Sequence, residues 1–182
     1  TAGGGASVLA GGTLTAAVTI PGEPESPVTV DLTGLDGVLS GTTVDGLANV
    51  TIISGEDANI AVGATLTVGS AAVSARGALQ GEVHASGNVS ISAQGAISSF
   101  TVDNQVAPAA TSTISVFGAT VDMTALAADQ LSVSAFGALQ GTYKSGQVSG
   151  HSMGSCELLA GDAMDATVDA HGNVSVQSLK TI

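Results

Sequence analysis

The chain has 182 residues, enough for one domain or a run of small repeats, and sets fifteen acidic residues against three basic ones for a net charge of −12. That charge repels a nucleic-acid backbone and an anionic lipid surface, and no stretch approaches the run of about eighteen apolar residues that a membrane helix needs. Apolar residues make up 44% of the chain but aromatics only 2%, so the hydrophobic content is Ala, Val, Ile and Leu, side chains that fill narrow spaces.

The chain opens on "TAGGGASVLAGG", which lacks the basic and apolar regions of a signal peptide and suits a mature N-terminus left after such a peptide is removed. A secreted, extracellular or cell-surface protein is therefore expected. Within residues 1–20, "ASVLAGGTLTAAVTI" is strand-like and weakly charged, a candidate assembly strand. Residues 21–47 begin with "PGEPESP", which holds three of the four prolines, and read as a linker followed by first strands. Residues 48–182 form the repeat body.

In that body "VSARGALQG" at 73–81 returns as "VSAFGALQG" at 133–141, with weaker copies "ISAQGAISS" from 91 and "ISVFGATVD" from 114. The starts are 18, 23 and 19 residues apart, so the sixty-residue echo is three turns of a unit of about twenty. A second phrase keeps similar time: "ANVTIIS" from 48, "GNVSISA" from 87 and "GNVSVQS" from 172. Alternation in "VSISA", "LSVSA" and "VSVQS" has period two, with Gly, Asn and Ser as punctuation, so each unit is strand and turn. Only "DMTALAADQL", 122–131, has helix-compatible composition; between β-rich copies it reads as a loop or irregular turn, with one short helix the most to be allowed.

The fold expected is all-β, a parallel β-solenoid of roughly 20-residue coils, with an antiparallel β-sandwich or jelly roll as the alternative. Stacking like on like rewards repeats of residue identity, and small apolar residues suit a thin coil interior better than a sandwich core about 10 Å thick. The Asn of "GNVS" is expected at a corner, where it tolerates the left-handed conformation.

Runs such as "ANVTIISGEDANIAV", "HASGNVSISAQGAI" and "DAHGNVSVQS" resemble the degenerate repeats of filamentous-haemagglutinin-type bacterial surface adhesins. The resemblance covers about residues 48 to 182 and implies a right-handed parallel β-helix in a surface-exposed passenger. It brings no catalytic residues with it.

Several motifs invite chemistry. "GHSMG" at 150–154 matches the nucleophile-elbow pattern, with Ser152 as nucleophile, His171 as base and Asp162, Asp165 or Asp169 to orient it. That elbow needs a strand, a tight turn and a helix, and no helix follows here, so no enzyme and no catalytic residue is expected. The same three aspartates are weak calcium candidates, although no calcium-loop motif surrounds them; no other cofactor is expected. His84, His151 and His171 have no ligand-like spacing. Asn49, Asn88 and Asn173 head N-V-[ST] sequons and are glycosylation candidates, while a turn Asn before a Val/Ser strand writes the same letters by repetition alone. Cys156, the only cysteine, reads as a small buried hydrophobe. Phe117 and Phe136, placed in one repeat phase with Arg76 and Gln94, read as a small phenylalanine stack. The leading expectation is a secreted structural subunit that polymerises with itself into a fibre or matrix. An adhesin module binding glycan or a host surface is the second, and a small serine esterase a distant third.

Overall fold

A computed structural model describes residues 6–20, 28–46, 48–105, 112–146 and 154–180. The linker prolines at 21–27 and Ser152 of the nucleophile-elbow motif lie outside them. Among the described residues there are seventeen strands and no helix. The odd-numbered strands form sheet A: β1 (Ala6–Ala10), β3 (Val28–Gly34), β5 (Ala48–Ser54), β7 (Ser70–Ala75), β9 (Val89–Ala93), β11 (Thr113–Gly118), β13 (Gln130–Ala135), β15 (Cys156–Ala160) and β17 (Val174–Ser178). The even-numbered strands form sheet B: β2 (Ala17–Thr19), β4 (Leu39–Asp45), β6 (Ala58–Val62), β8 (Leu79–His84), β10 (Ile97–Asp103), β12 (Val121–Ala127), β14 (Leu139–Ser145) and β16 (Met164–Ala170).

Each strand pairs in parallel with the strand two places away in sequence, so the chain winds as a two-sheet β-solenoid. The ladders run unbroken from β1 to β17, so residues 6–20 and 28–46 stack on the same sheets as the repeats after residue 48. The sandwich alternative falls because its neighbours would be antiparallel.

Alternation places every second side chain inside. One inward row of sheet A runs Ala6, Val30, Val50, Ala71, Val89, Ile114, Leu131, Cys156 and Val174. The next holds Val8, Leu32, Ile52, Val73, Ile91, Val116, Val133, Leu158 and Val176. Inward rows of both sheets join in one apolar core, where residues such as Ile91 are 2% exposed. Burying a side chain of this size contributes roughly 1.5–3 kcal/mol.

In the repeat body successive positions in a row are 17 to 25 residues apart, and most of the variation lies on one edge. Turns from sheet A to sheet B in the repeat body take two or three residues, as at 76–78 and 119–120. Returns from sheet B to sheet A take from two residues, at 128–129, to ten, at 146–155. Both sheets stay paired across returns of these different lengths.

The recurring nonapeptide follows from these constraints. Its final glycines, Gly81 and Gly141, have φ of +121° and +127°. A Cβ there would lie 1.8 Å from the Ile60 carbonyl oxygen or 1.9 Å from that of Met123. They share one inward row, in which Phe100 and Met123 fill the two levels between them.

Three sequence expectations change. Residues 122–131 contain neither a helix nor a long loop: β12 ends at Ala127 and β13 begins at Gln130. Met123, Ala125 and Ala127 point inward, so stacking on β10 and β14 overrides helix-compatible composition. The "ISVFG" copy sits two residues out of the assumed phase, because Val116, not Ile114, pairs with Ile91 and Val133. Phe117 therefore stands level with Ser92 and Ser134, and the slot of Arg76 and Gln94 is filled by Phe136 but not by Phe117. The two rings meet diagonally, edge to face, with centroids 5.0 Å apart. Finally, Asn88 and Asn173 do precede β9 and β17 at a corner, yet Ser99 is the only non-glycine of positive φ among the described residues.

Candidate functional site

The outer faces carry the polar chemistry. Asn49, Asn88 and Asn173 are exposed and share one row on sheet A, each preceding an inward valine. The Asn88 side-chain oxygen accepts from the Thr113 backbone N–H at 3.0 Å and from its hydroxyl at 3.3 Å, so this asparagine links two coils. A shallow groove of about 410 Å³ runs along the row, lined by Thr29, Asn49, Thr51, Ser70, Asn88 and Ser90 among others. Its walls are hydroxyls, amides and small apolar groups, with no charged side chain lining it.

Several acids and amides act as staples from one coil to the next. Asp57 Oδ1 accepts from the Ala78 N–H at 2.7 Å, Asp45 Oδ1 from Thr65 and Leu66 at 2.9 and 3.2 Å, and Asp129 Oδ2 from Ser112 at 2.8 Å. Asn104, fully buried at a corner, accepts from the Ala128 N–H at 2.7 Å and donates to the Gly87 carbonyl at 3.4 Å. Hydrogen bonds to a charged acceptor are worth roughly 1.5–3 kcal/mol when sheltered, less when exposed. Sequence reading missed these roles; an Asp or Asn in the turns about one coil from its partner was the available signal.

The calcium candidates do not converge. Asp165 and Asp169 are exposed on the outer face of β16, four residues apart and hence about 13 Å along the strand. Asp162 lies in the preceding turn, 3.5 Å from the Lys180 ammonium, an exposed pair of small energetic weight. Among the described residues no cluster of three or more His, Cys, Asp and Glu side chains could hold a metal ion. His171 is exposed in the turn between β16 and β17, its backbone N–H donating to the Ser145 carbonyl at 3.1 Å. His84 faces Glu82 at 3.3 Å on β8.

Of the aromatics, Phe100 and Tyr143 are buried, and only Phe117 and Phe136 show surface, 40% and 74% exposed. Tyr143 donates its hydroxyl hydrogen to the Gln140 carbonyl at 2.5 Å. Burial, with the Asp122 charge second, raises its phenol above the ordinary range. Burial also pushes the Cys156 thiol up to about 11, which leaves it protonated and unreactive at neutral pH.

The two ends of the solenoid differ from its flanks. At one end β1 and β2 are edge strands, at the other β16 and β17, and no described element covers either. Val174 and Val176 continue the inward rows of sheet A, yet they are 50% and 43% exposed because no sheet B strand faces them at that level. Among the described residues no helix is long and apolar enough to cross a membrane. Comparison with protein-family models, with curated proteins and with solved structures finds no match for this chain.

Proposed function

We propose that this chain is a secreted structural subunit of an extracellular or cell-surface fibre or matrix that associates with its own kind through β-strand contacts. The observation that carries this reading is the pair of open ends, where β1 and β17 offer unpaired backbone groups and apolar side chains that inside the stack are covered by the next coil. A stack of parallel coils is stiff along its axis and extends without a new kind of contact. The fibre reading assigns no reaction to the chain. Sedimentation of the purified protein over a hundredfold range of concentration tests it: mass should grow with concentration, and a constant monomer overturns it.

The groove on sheet A favours a second reading, an adhesin module that binds a neutral glycan through hydroxyls and amides. Ser70→Trp would block the groove and leave the ends untouched, so loss of glycan capture with self-association intact would select this alternative.

A further inference from the structure

Two neighbouring outward rows along one edge of sheet A place exposed apolar side chains near both open ends of the solenoid. The first begins with Leu9, carries Ile53 and Phe117 among Ser74, Ser92 and Ser134, and ends on Leu159 and Gln177. The second, one turn position further, begins with Leu35, passes through Arg76 and Gln94, and ends on Phe136 and Leu179. Leu9, Leu35, Phe136 and Leu179 are 69%, 52%, 74% and 75% exposed. Ile53 and Phe117, between the ends, are less exposed at 45% and 40%, so the most exposed apolar side chains of this edge lie toward its open ends.

We infer that copies of this chain join head to tail in one register, with β1 of the next copy adding to β17 as the tenth strand of sheet A. The inference rests on the fibre reading above and names its joint. The inward rows then continue without a phase change: Ala6 of the next copy falls on Val174, Val8 on Val176 and Ala10 on Ser178. Outside, Leu9 falls opposite Gln177 and beside Leu179, with Leu35 of the same copy one level further on. Leu9 and Leu35 of one copy then adjoin Leu179 of the other in one apolar patch across the joint. Both faces of the contact already exist inside the chain, since β15 meets β17 and β1 meets β3 in this same register.

The fit also sets a limit on strength. Sheet A ends on β17, while sheet B ends one level earlier on β16, so the joint leaves one strand position of sheet B open. One ladder of five residues and one apolar patch hold it. Association is therefore reversible on dilution. Because the contact is heterologous, it propagates as a filament unless the rotation closes a ring.

A double variant, Leu9→Cys with Gln177→Cys, tests the register. Eight strand spacings, roughly 38 Å, separate these positions within one chain, so any disulfide between them joins two copies. Mild oxidation should give a ladder of covalent multimers, while the pairing Ser92→Cys with Gln177→Cys should give none. A second variant, Leu9→Asp with Leu179→Asp, alters two exposed side chains, so circular dichroism should be unchanged and association at least tenfold weaker. If the unmodified chain associates but neither variant behaves so, this joint is wrong and the fibre reading stands. Should the unmodified chain remain monomeric throughout, both readings fall.

Discussion

Gly81→Ala isolates one of the tightest contacts between coils. At φ +121° a residue with a Cβ costs about 1–3 kcal/mol. The added carbon would also lie 1.8 Å from the Ile60 carbonyl oxygen and 2.9 Å from the Ile60 nitrogen, both backbone atoms fixed in the sheet B ladder. Relieving that overlap requires β6 and β8 to part by more than an ångström, a distortion of the kind that costs roughly 1–3 kcal/mol. The two costs add to about 2–6 kcal/mol. Gly12→Ala is the matched control, because a Cβ there meets nothing within 4 Å, and its effect should stay within about 0.5 kcal/mol. Urea unfolding followed by circular dichroism reads both variants. Because coils are coupled to their nearest neighbours, loss at Gly81 should lower the midpoint of the whole transition. Equal midpoints for the two variants would refute the reasoning.

Thr42 faces inward, fully buried, and its hydroxyl has no hydrogen-bond partner. Thr42→Val keeps the shape and should raise stability by about 1 kcal/mol in the same assay. Asp57→Ala removes the staple to Ala78 and should cost about 1 kcal/mol, with Asp57→Asn restoring most of it. Stability should also fall in alkali. Cys156 has its pKa raised from 9.0 to about 11 in the folded chain, so its stabilising contribution is complete below pH 9 and is lost as pH rises toward 11. Tyr143 is shifted in the same direction and extends the loss to higher pH. Thermal midpoints between pH 8 and 11 check this, and Cys156→Ala should flatten the early part of the fall.

The solenoid was legible in the sequence because stacking rewards repeated identity, and the sixty-residue echo does correspond to three coils, through Val73, Ile91, Val116 and Val133. The phase of the third copy was not legible. A slip of two residues leaves every side chain on its own face, so the inward and outward pattern of "ISVFG" cannot detect it. The same blindness placed Phe117 and Phe136 in one slot. Residues 122–131 misled for a different reason: Met, Leu and Ala have helical propensity, and only the neighbouring strands make the segment a strand. The staples of Asp57 and Asn104 join residues 21 and 24 positions apart in coils of uneven length, so no fixed spacing announces them. Exposure of Leu9, Leu35, Phe136 and Leu179 on one edge required knowing which rows adjoin.

The most direct test of the account is X-ray diffraction from aligned filaments of the purified chain. Coils that stack end to end place the strand spacing of about 4.8 Å along the filament axis, so the account predicts a reflection at that spacing on the meridian. A reflection at that spacing on the equator, with strands running along the filament, or the absence of filaments at any concentration, would contradict it.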